Sequence, residues 1–581
     1  MKRTDVDARA LLVTATVLLG TWTGSGATEQ AVDAVGDRIG HHAMTGMATF
    51  IGADAGRAIP LPQAALQGGA AKDPAAAVMA RYAPLFGEAA PAENLVQTRT
   101  RRNAMGGVSY RYAQRFEGVP VLAGALVLNT DDRGQMVSLG GELAPDLDLE
   151  VVPAVPSDDA RRSALDLAVR AYGGQAADYG VSEPQLWIYD PRLLGVGGRP
   201  AELVWRMEVS SQTGAPVREL VLVNAERGFV SLHFNQVDRH WRGDGPGPLA
   251  PSLSGGTVYR ALADIPKTVL PVVYRTTYDA QNLELVPGQF LCDQTQDVCT
   301  NGTDPDADAA HRHAADAYYF YFLQHGRDSI DDAGMALLST VHFGSDYFNA
   351  FWDGSRMVYG DAVSFPSADD VVAHELTHGV TQYESGLFYY YQSGAINESL
   401  SDLWGEIVDL TNGSPNDLPE VRWLMGEEIG AMRDMADPTA FYHPDRMSSP
   451  YYYTGSEDYG GVHTNSGVNN KAVSLMVDGG DFNGYQISGL GIDKVAAIYY
   501  EVQTSLLTSG ADYGDLHLAV GQACQNLIGG ALGITADDCA EVENALLAVE
   551  MDQQPVPGFN PDAPLCAAGQ LGNTLFYDDF E

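Results

Sequence analysis

The chain has 581 residues, 45% of them apolar, and a formal net charge of −42. That length calls for several domains, and the apolar content suits packed cores rather than wholesale disorder. The excess of acid argues against nucleic acid or an anionic membrane as a partner held by bulk charge, and its ordinary meaning is a well-solvated surface.

Residues 1–27 read as a secretory signal peptide. Lys2, Arg3 and Arg9 supply a positive start, and Ala10 to Trp22 an apolar stretch too short to span a bilayer. Ser25 and Ala27 are the small residues expected before a cut, and no later run is long enough for a membrane span. A secreted, extracellular protein is therefore expected. The five cysteines fit an oxidising compartment. Two local bridges, Cys292–Cys299 and Cys524–Cys539, are the simplest pairing and leave Cys566 over, although spacing does not fix connectivity.

Alternating aromatic residues predict a strand meander over 109–143, with turns at Glu117-Gly118 and Asp131 to Gly134. A helix is expected over 160–172. Strands near 203–209, 218–224 and 229–234 follow, parted by Gly214 and Gly228. Two small α+β units thus occupy 28–245. The stretch RGDGPGPLAPSLSGG (242–256) reads as an exposed, cleavable linker, with a major boundary at 245/246. Beyond it, 246–383 is rich in strand signals and aromatic clusters, 384–551 reads as mainly helical (492–507, for example), and 552–581 is a tail. The fold class is α+β, with the large domain in two lobes.

The stretch VVAHELTHGVTQYESG (371–386) reads as a partly buried helix, with Ser367 in a capping position before it and Gly386 as its stop. His374 and His378 are four apart and share a face, and Glu375 lies beside them. Two imidazoles on one face can bind Zn²⁺ while the neighbouring carboxylate handles protons. HExxH alone arises by chance in roughly 2% of chains this long, so a third ligand is needed. A second helix, GAINESLSDLWGEIVDLTNG (394–413), offers Glu398, with Asp402 one turn on to hold the other ring nitrogen of His374. His311 and His313 in AHRHAADAYYFYF read as polar-face residues with no third ligand in view.

HELTH followed by GAINESLSD resembles the thermolysin-like neutral metalloproteases. NAFWDGSRMVYGD (349–361), GAMRDMADP (430–438) and DYGGVHTNSGVNNKA (458–472) extend the resemblance, in the family's order, over most of 256–551. It implies that His374, His378 and Glu398 bind zinc and that Glu375 is the general base. Tyr389 and His463 then match the oxyanion-stabilising residues, and Asp458 the carboxylate orienting His463. Arg433 matches the arginine bracing the site and a substrate carbonyl, and Asn349 and Ala350 the edge that grips a substrate peptide. Calcium is implied at Asp370, Asp409 and Glu427, but two further ligand positions fall on Arg422 and Leu424, so at most one ion is expected. Residues 28 to about 245 resemble the family's propeptide, an intramolecular chaperone and inhibitor removed by self-cleavage in or near 236–256.

The expectation is a zinc endopeptidase acting on proteins and peptides, monomeric when mature, with a preference for bulky apolar residues after the cut bond implied by the resemblance. A non-catalytic zinc protein on the same fold is the competing reading, and intact Glu375, Tyr389 and His463 speak against it. A serine hydrolase is disfavoured because the chain has no GxSxG elbow.

Overall fold

The computed structural model describes residues 37–59, 74–195, 197–239, 270–413 and 418–555. The predicted signal peptide, residues 240–256 of the expected cleavage region, Cys566 and all but the first four residues of the tail lie outside them. Among the described residues no helix is long and apolar enough to cross a membrane.

The first part of the chain builds one large sheet. Strands β1 (Arg38–His41), β2 (Ala48–Gly52), β3 (Leu95–Arg102), β4 (Val108–Phe116), β5 (Val119–Thr130) and β6 (Met136–Glu142) make its first half, with helix α1 (Pro74–Tyr82) against it. The expected meander is β4–β5–β6. Its first turn is tight because Glu117 and Gly118 both take positive φ, which matches the twist of the flanking strands. Helix α2 (Ser157–Tyr172) leads to the second half: β7 (Tyr179–Val181), β8 (Gln185–Tyr189), β9 (Glu202–Ser211), β10 (Arg218–Asn224) and β11 (Val230–Asn235). The two halves meet where Val121 of β5 pairs with Ile188 of β8, and their apolar faces form separate cores.

After β11 the chain leaves that sheet. Strand β12 (Asp238–Arg239) joins the six-stranded sheet of the following lobe, ordered β12-β16-β17-β15-β13-β14. The other strands are β13 (Arg275–Asp279), β14 (Gln289–Asp293), β15 (Leu337–Phe343), β16 (Ala350–Trp352) and β17 (Met357–Gly360). Helix α3 (Pro305–His325) packs on this sheet. Helices α4 (Asp369–Tyr383) and α5 (Tyr391–Asn412) follow, then α6 (Asp458–Asn465), α7 (Gly467–Asp478), α8 (Ile492–Glu501), α9 (Tyr513–Leu527) and α10 (Ala536–Ala548). A single core runs from the sheet through α4 and α5 into the helical lobe, around Trp352, Trp404 and Tyr499. The expected helix at 492–507 is α8 extended by a π-helical turn at Val502–Leu506. Both predicted disulfides are present, Cys292–Cys299 and Cys524–Cys539.

Two local expectations are corrected. Ser367 does not cap α4: its hydroxyl donates to the Ser364 carbonyl, and the cap position is Ala368, without a side-chain bond. Asp369 and Asp370 occupy the first turn instead, where Asp370 Oδ1 accepts from the Val371 N–H at 2.6 Å. His311 and His313 are not on a polar face but buried. His311 accepts a hydrogen bond from Arg275 Nε and contacts Thr277, and His313 Nδ1 meets the Pro366 carbonyl. Burial pushes both imidazoles down to about 4, so they are neutral structural groups. The solvent stripe of helix α3 runs through Asp308, Arg312, Asp316 and Leu323, and the two histidines lie on either flank of it.

The first part also packs closely on the rest. Gly214, at φ +97°, lies where a Cβ would collide with the Glu284 carbonyl. Asn129 donates to Ser505 O at 2.9 Å, Arg111 to Leu507 O at 3.0 Å, and Gln522 to Ala53 O at 2.9 Å. At the end of α4, the buried Glu384 carboxylate receives Arg327, which is also buried, together with Arg99 and Arg101 from β3.

Candidate metal centre and active site

Helices α4 and α5 lie side by side and present their polar stripes to each other inside the core. His374, Glu375 and His378 of α4 and Glu398 and Asp402 of α5 are fully buried. The two Nε2 atoms of His374 and His378 are 3.0 Å apart. Glu398 Oε2 lies 3.6 Å from the first and Oε1 3.5 Å from the second.

The tautomers explain why these atoms converge. His374 Nδ1 is 2.9 Å from Asp402 Oδ1, and His378 Nδ1 is 3.0 Å from Asn397 Oδ1. Acceptors at both Nδ1 positions place the ring protons there and leave both Nε2 atoms as lone pairs aimed at each other. Burial and the neighbouring His374 depress the His378 imidazole far below its usual value, so it stays neutral. Glu398 Oε2 has no hydrogen-bond donor although it is buried. Two facing imidazole lone pairs and a carboxylate oxygen, each within 4.8 Å of the others, are reconciled by a cation of zinc's size and preference for nitrogen and oxygen.

The surrounding groups are equally fixed. Asp402 accepts from Arg433 Nε at 2.9 Å, Arg433 Nη2 at 2.5 Å and Asn470 Nδ2 at 2.8 Å. Burial would raise the Asp402 carboxyl, but Arg433 and His374 outweigh it and hold it ionised. Tyr389 donates its hydroxyl to Glu398 Oε1 and lies 3.0 Å from His463 Nε2. Asp458 grips His463 twice, at Nδ1 (2.8 Å) and at its backbone N–H (3.1 Å). Burial works against the His463 imidazolium, yet Asp458 and Glu398 together raise it to about 9. Glu375 adjoins the buried Tyr359, whose phenol is pushed up by burial and then by the Glu375 charge.

Nine of the predicted residues therefore converge: His374, Glu375, His378, Tyr389, Glu398, Asp402, Arg433, Asp458 and His463. Asn349 and Ala350 lie apart, at the start of β16, the strand next to the β12 edge, where the Asn349 carbonyl accepts from Gly360. The acidic residues cluster beside α4, but the tightest group is Asp369, Asp370 and Glu428. Asp409 and Glu427 share their field, and all three predicted carboxyls (Asp370, Asp409 and Glu427) are raised by burial and by each other's neighbourhood. Arg422 turns away and forks Asp478 at 2.7 and 2.8 Å. Sequence reasoning missed Asn397, Ser401 (whose hydroxyl lies 3.2 Å from His378 Nδ1), Asn470, Asp369 and Glu428. The doublets Asp369-Asp370 and Glu427-Glu428 were the available signal for the acidic pair, and helical spacing (397 to 401) for the His378 partners.

A buried His₂Glu nest with a second glutamate on the same helix, at the junction of a sheet lobe and a helical lobe, defines a zinc metalloendopeptidase. Comparison with known proteins agrees over three stretches of the chain. Residues 254–382 match the thermolysin metallopeptidase catalytic domain, 385–551 its alpha-helical domain, and 93–143 the fungalysin/thermolysin propeptide motif. The chain is 33% identical to thermolysin of Alicyclobacillus acidocaldarius subsp. acidocaldarius over 80% of its length and 87% of that protein's. It is 34% identical to bacillolysin of Brevibacillus brevis, over 72% of this chain and 78% of the relative. It is 33% identical to the thermostable neutral protease NprT of Geobacillus stearothermophilus, over 77% and 83%. The chain belongs to the thermolysin family of metallopeptidases and carries that family's propeptide.

Proposed function

We propose that His374, His378 and Glu398 hold the catalytic zinc, that Glu375 is the general base, and that the chain is exported through residues 1–27 as a latent precursor. The observation that carries the metal assignment is the pair of facing Nε2 lone pairs beside the undonated Glu398 oxygen. When bound, zinc supplies a Lewis acid for the scissile carbonyl and brings the pKa of water toward neutrality.

The protein groups divide the remaining work. Glu375 takes a proton from the attacking water and returns it to the leaving amine. Tyr389 O–H and His463 Nε2–H donate to the carbonyl oxygen as its negative charge develops. Each such donor typically contributes about 2.7–4 kcal/mol to the barrier reduction. Asp458 keeps His463 oriented and protonated, and Asp402 orients His374 while Arg433 balances its charge. Substrate lies extended along Asn349 and Ala350 as an added strand.

Latency follows from β12. Asp238 pairs with Trp352 and Arg239 with Phe351, antiparallel, so the end of the propeptide covers the edge on which a substrate would be laid. Self-cleavage in or near 236–256 would then free the enzyme. The neighbouring acidic cluster around Asp370, Asp409 and Glu427 takes at most one calcium ion, since neither Arg422 nor the buried Leu424 offers an oxygen.

The test is Glu375→Gln in the full chain. Zinc content stays at one ion and casein hydrolysis is lost almost completely. Substantial residual turnover removes Glu375 from the base role, and a wild-type chain that binds zinc but cuts nothing supports a non-catalytic protein. Hydrolysis is abolished by 1,10-phenanthroline and restored by zinc.

A further inference from the structure

The chain from the end of β11 to β12 runs along the catalytic cleft with one aromatic side chain of β11 anchored beside it. Phe234, near the end of β11, is almost fully buried. Its ring stacks on Tyr390 at 5.3 Å and meets Phe388 edge-on at 6.1 Å. Phe388 and Tyr390 flank Tyr389, whose hydroxyl turns the other way, to Glu398. Both belong to the protease lobe yet pack into the apolar core of the propeptide, together with Tyr459.

Phe234 and Phe388 carry this aromatic cluster to the catalytic cleft. Phe234, Gln236, Phe388, Tyr389 and His378 all line one cavity of about 220 Å³. Four residues after Phe234, Asp238 is already paired with Trp352 on the substrate edge. In the antiparallel register the chain then advances from Trp352 through Phe351 toward Ala350. The propeptide therefore runs past the site in the manner of an extended peptide, with its ring held upstream.

We propose that Phe388 and Tyr390 form a subsite for an aromatic side chain of the substrate, several residues N-terminal to the scissile bond, which Phe234 fills in the precursor. This rests on the reading of the cleft as a peptidase site. Ring stacking and edge contact favour an aromatic residue over alanine, at roughly tenfold in kcat/KM. Loss of the propeptide bares the two rings, and a substrate residue restores the contact that Phe234 made.

The test uses the enzyme matured from the full chain and a set of quenched-fluorescent peptides sharing one cleavage sequence. A single Phe is moved from the fourth to the eighth position before the cut bond in an alanine–serine background. A maximum of about tenfold in kcat/KM at one position, carried mainly by KM, is expected. Tyr390→Ala flattens that maximum and Tyr390→Phe retains it, which separates ring contact from misfolding. A wild-type profile with no maximum, on peptides that are cut, overturns the subsite while leaving the peptidase intact. No cleavage of any peptide overturns the peptidase reading and the subsite with it.

Discussion

Replacing Arg101 by alanine should weaken the hold of the propeptide on the enzyme by about two orders of magnitude. Arg101 Nη1 is 2.9 Å from Glu384 Oε1, and Nη2 donates to Tyr500 OH at 2.8 Å and lies 3.2 Å from Asp332 Oδ2. The Glu384 side chain is fully buried, so its bond is little screened, whereas Asp332 is 29% exposed and contributes little. Hydrogen bonds to charged groups are worth about 1.5–3 kcal/mol each. Arg327 and Arg99 continue to neutralise Glu384, which argues for the low end, near 3 kcal/mol for the two bonds together, or roughly 150-fold in dissociation constant. The assay is peptide hydrolysis by the self-processed chain across a dilution series, where activity appears as the cleaved propeptide dissociates. The midpoint should move to about 150-fold higher protein concentration in Arg101→Ala. Superimposable curves would refute the anchoring role of this arginine.

The same anchor responds to acid. Burial alone would raise the Glu384 carboxyl, but Arg327, Arg101 and Arg99 outweigh it and hold it below its ordinary value of 4.5. The contribution is therefore complete above that ordinary value and is lost as the pH falls through the lowered one.

Asp515→Asn should act in the opposite pH range: burial and Asp512 raise the Asp515 carboxyl to about 7 beside Glu142 of the propeptide, so its contribution is full in acid and lost as pH climbs toward 7. The variant should hold the propeptide more tightly than wild type at pH 8 and equally at pH 4, read from the same dilution series. Asp402→Asn should lower zinc affinity by about 10- to 100-fold in chelator competition, since it loosens His374; unchanged affinity would dismiss the contact as incidental. Calcium titration of the mature enzyme should find no more than one tight ion, and two would overturn the argument from Arg422 and Leu424.

Much of this architecture was legible in local pattern. The meander, α2 and α5 follow from residue periodicity and turn chemistry, and Gly413 ends α5 in a left-handed conformation. The metal nest was legible because helical spacing places His374 and His378 together, and motif context added Glu398. What pattern could not reach are contacts made across long stretches of chain. Arg99 and Arg101 meet Glu384 nearly half the chain away, and nothing in LVQTRTRR distinguishes those arginines from solvated ones. The histidines of α3 misled because they adjoin Arg312 in sequence, yet the solvent stripe passes through Asp308, Arg312 and Asp316 and leaves His311 and His313 buried on its flanks. The capping role of Ser367 failed because that serine is spent on the preceding 3₁₀ turn.

The outermost strand of the protease sheet is β12, which a cut beyond Arg239 would assign to the portion removed. Such a cut would leave β16 as a raw margin of unpaired amides and carbonyls, open for an arriving polypeptide to stitch closed again. At three residues that margin is too short to recruit another folded copy, yet long enough to seize an unfolded guest.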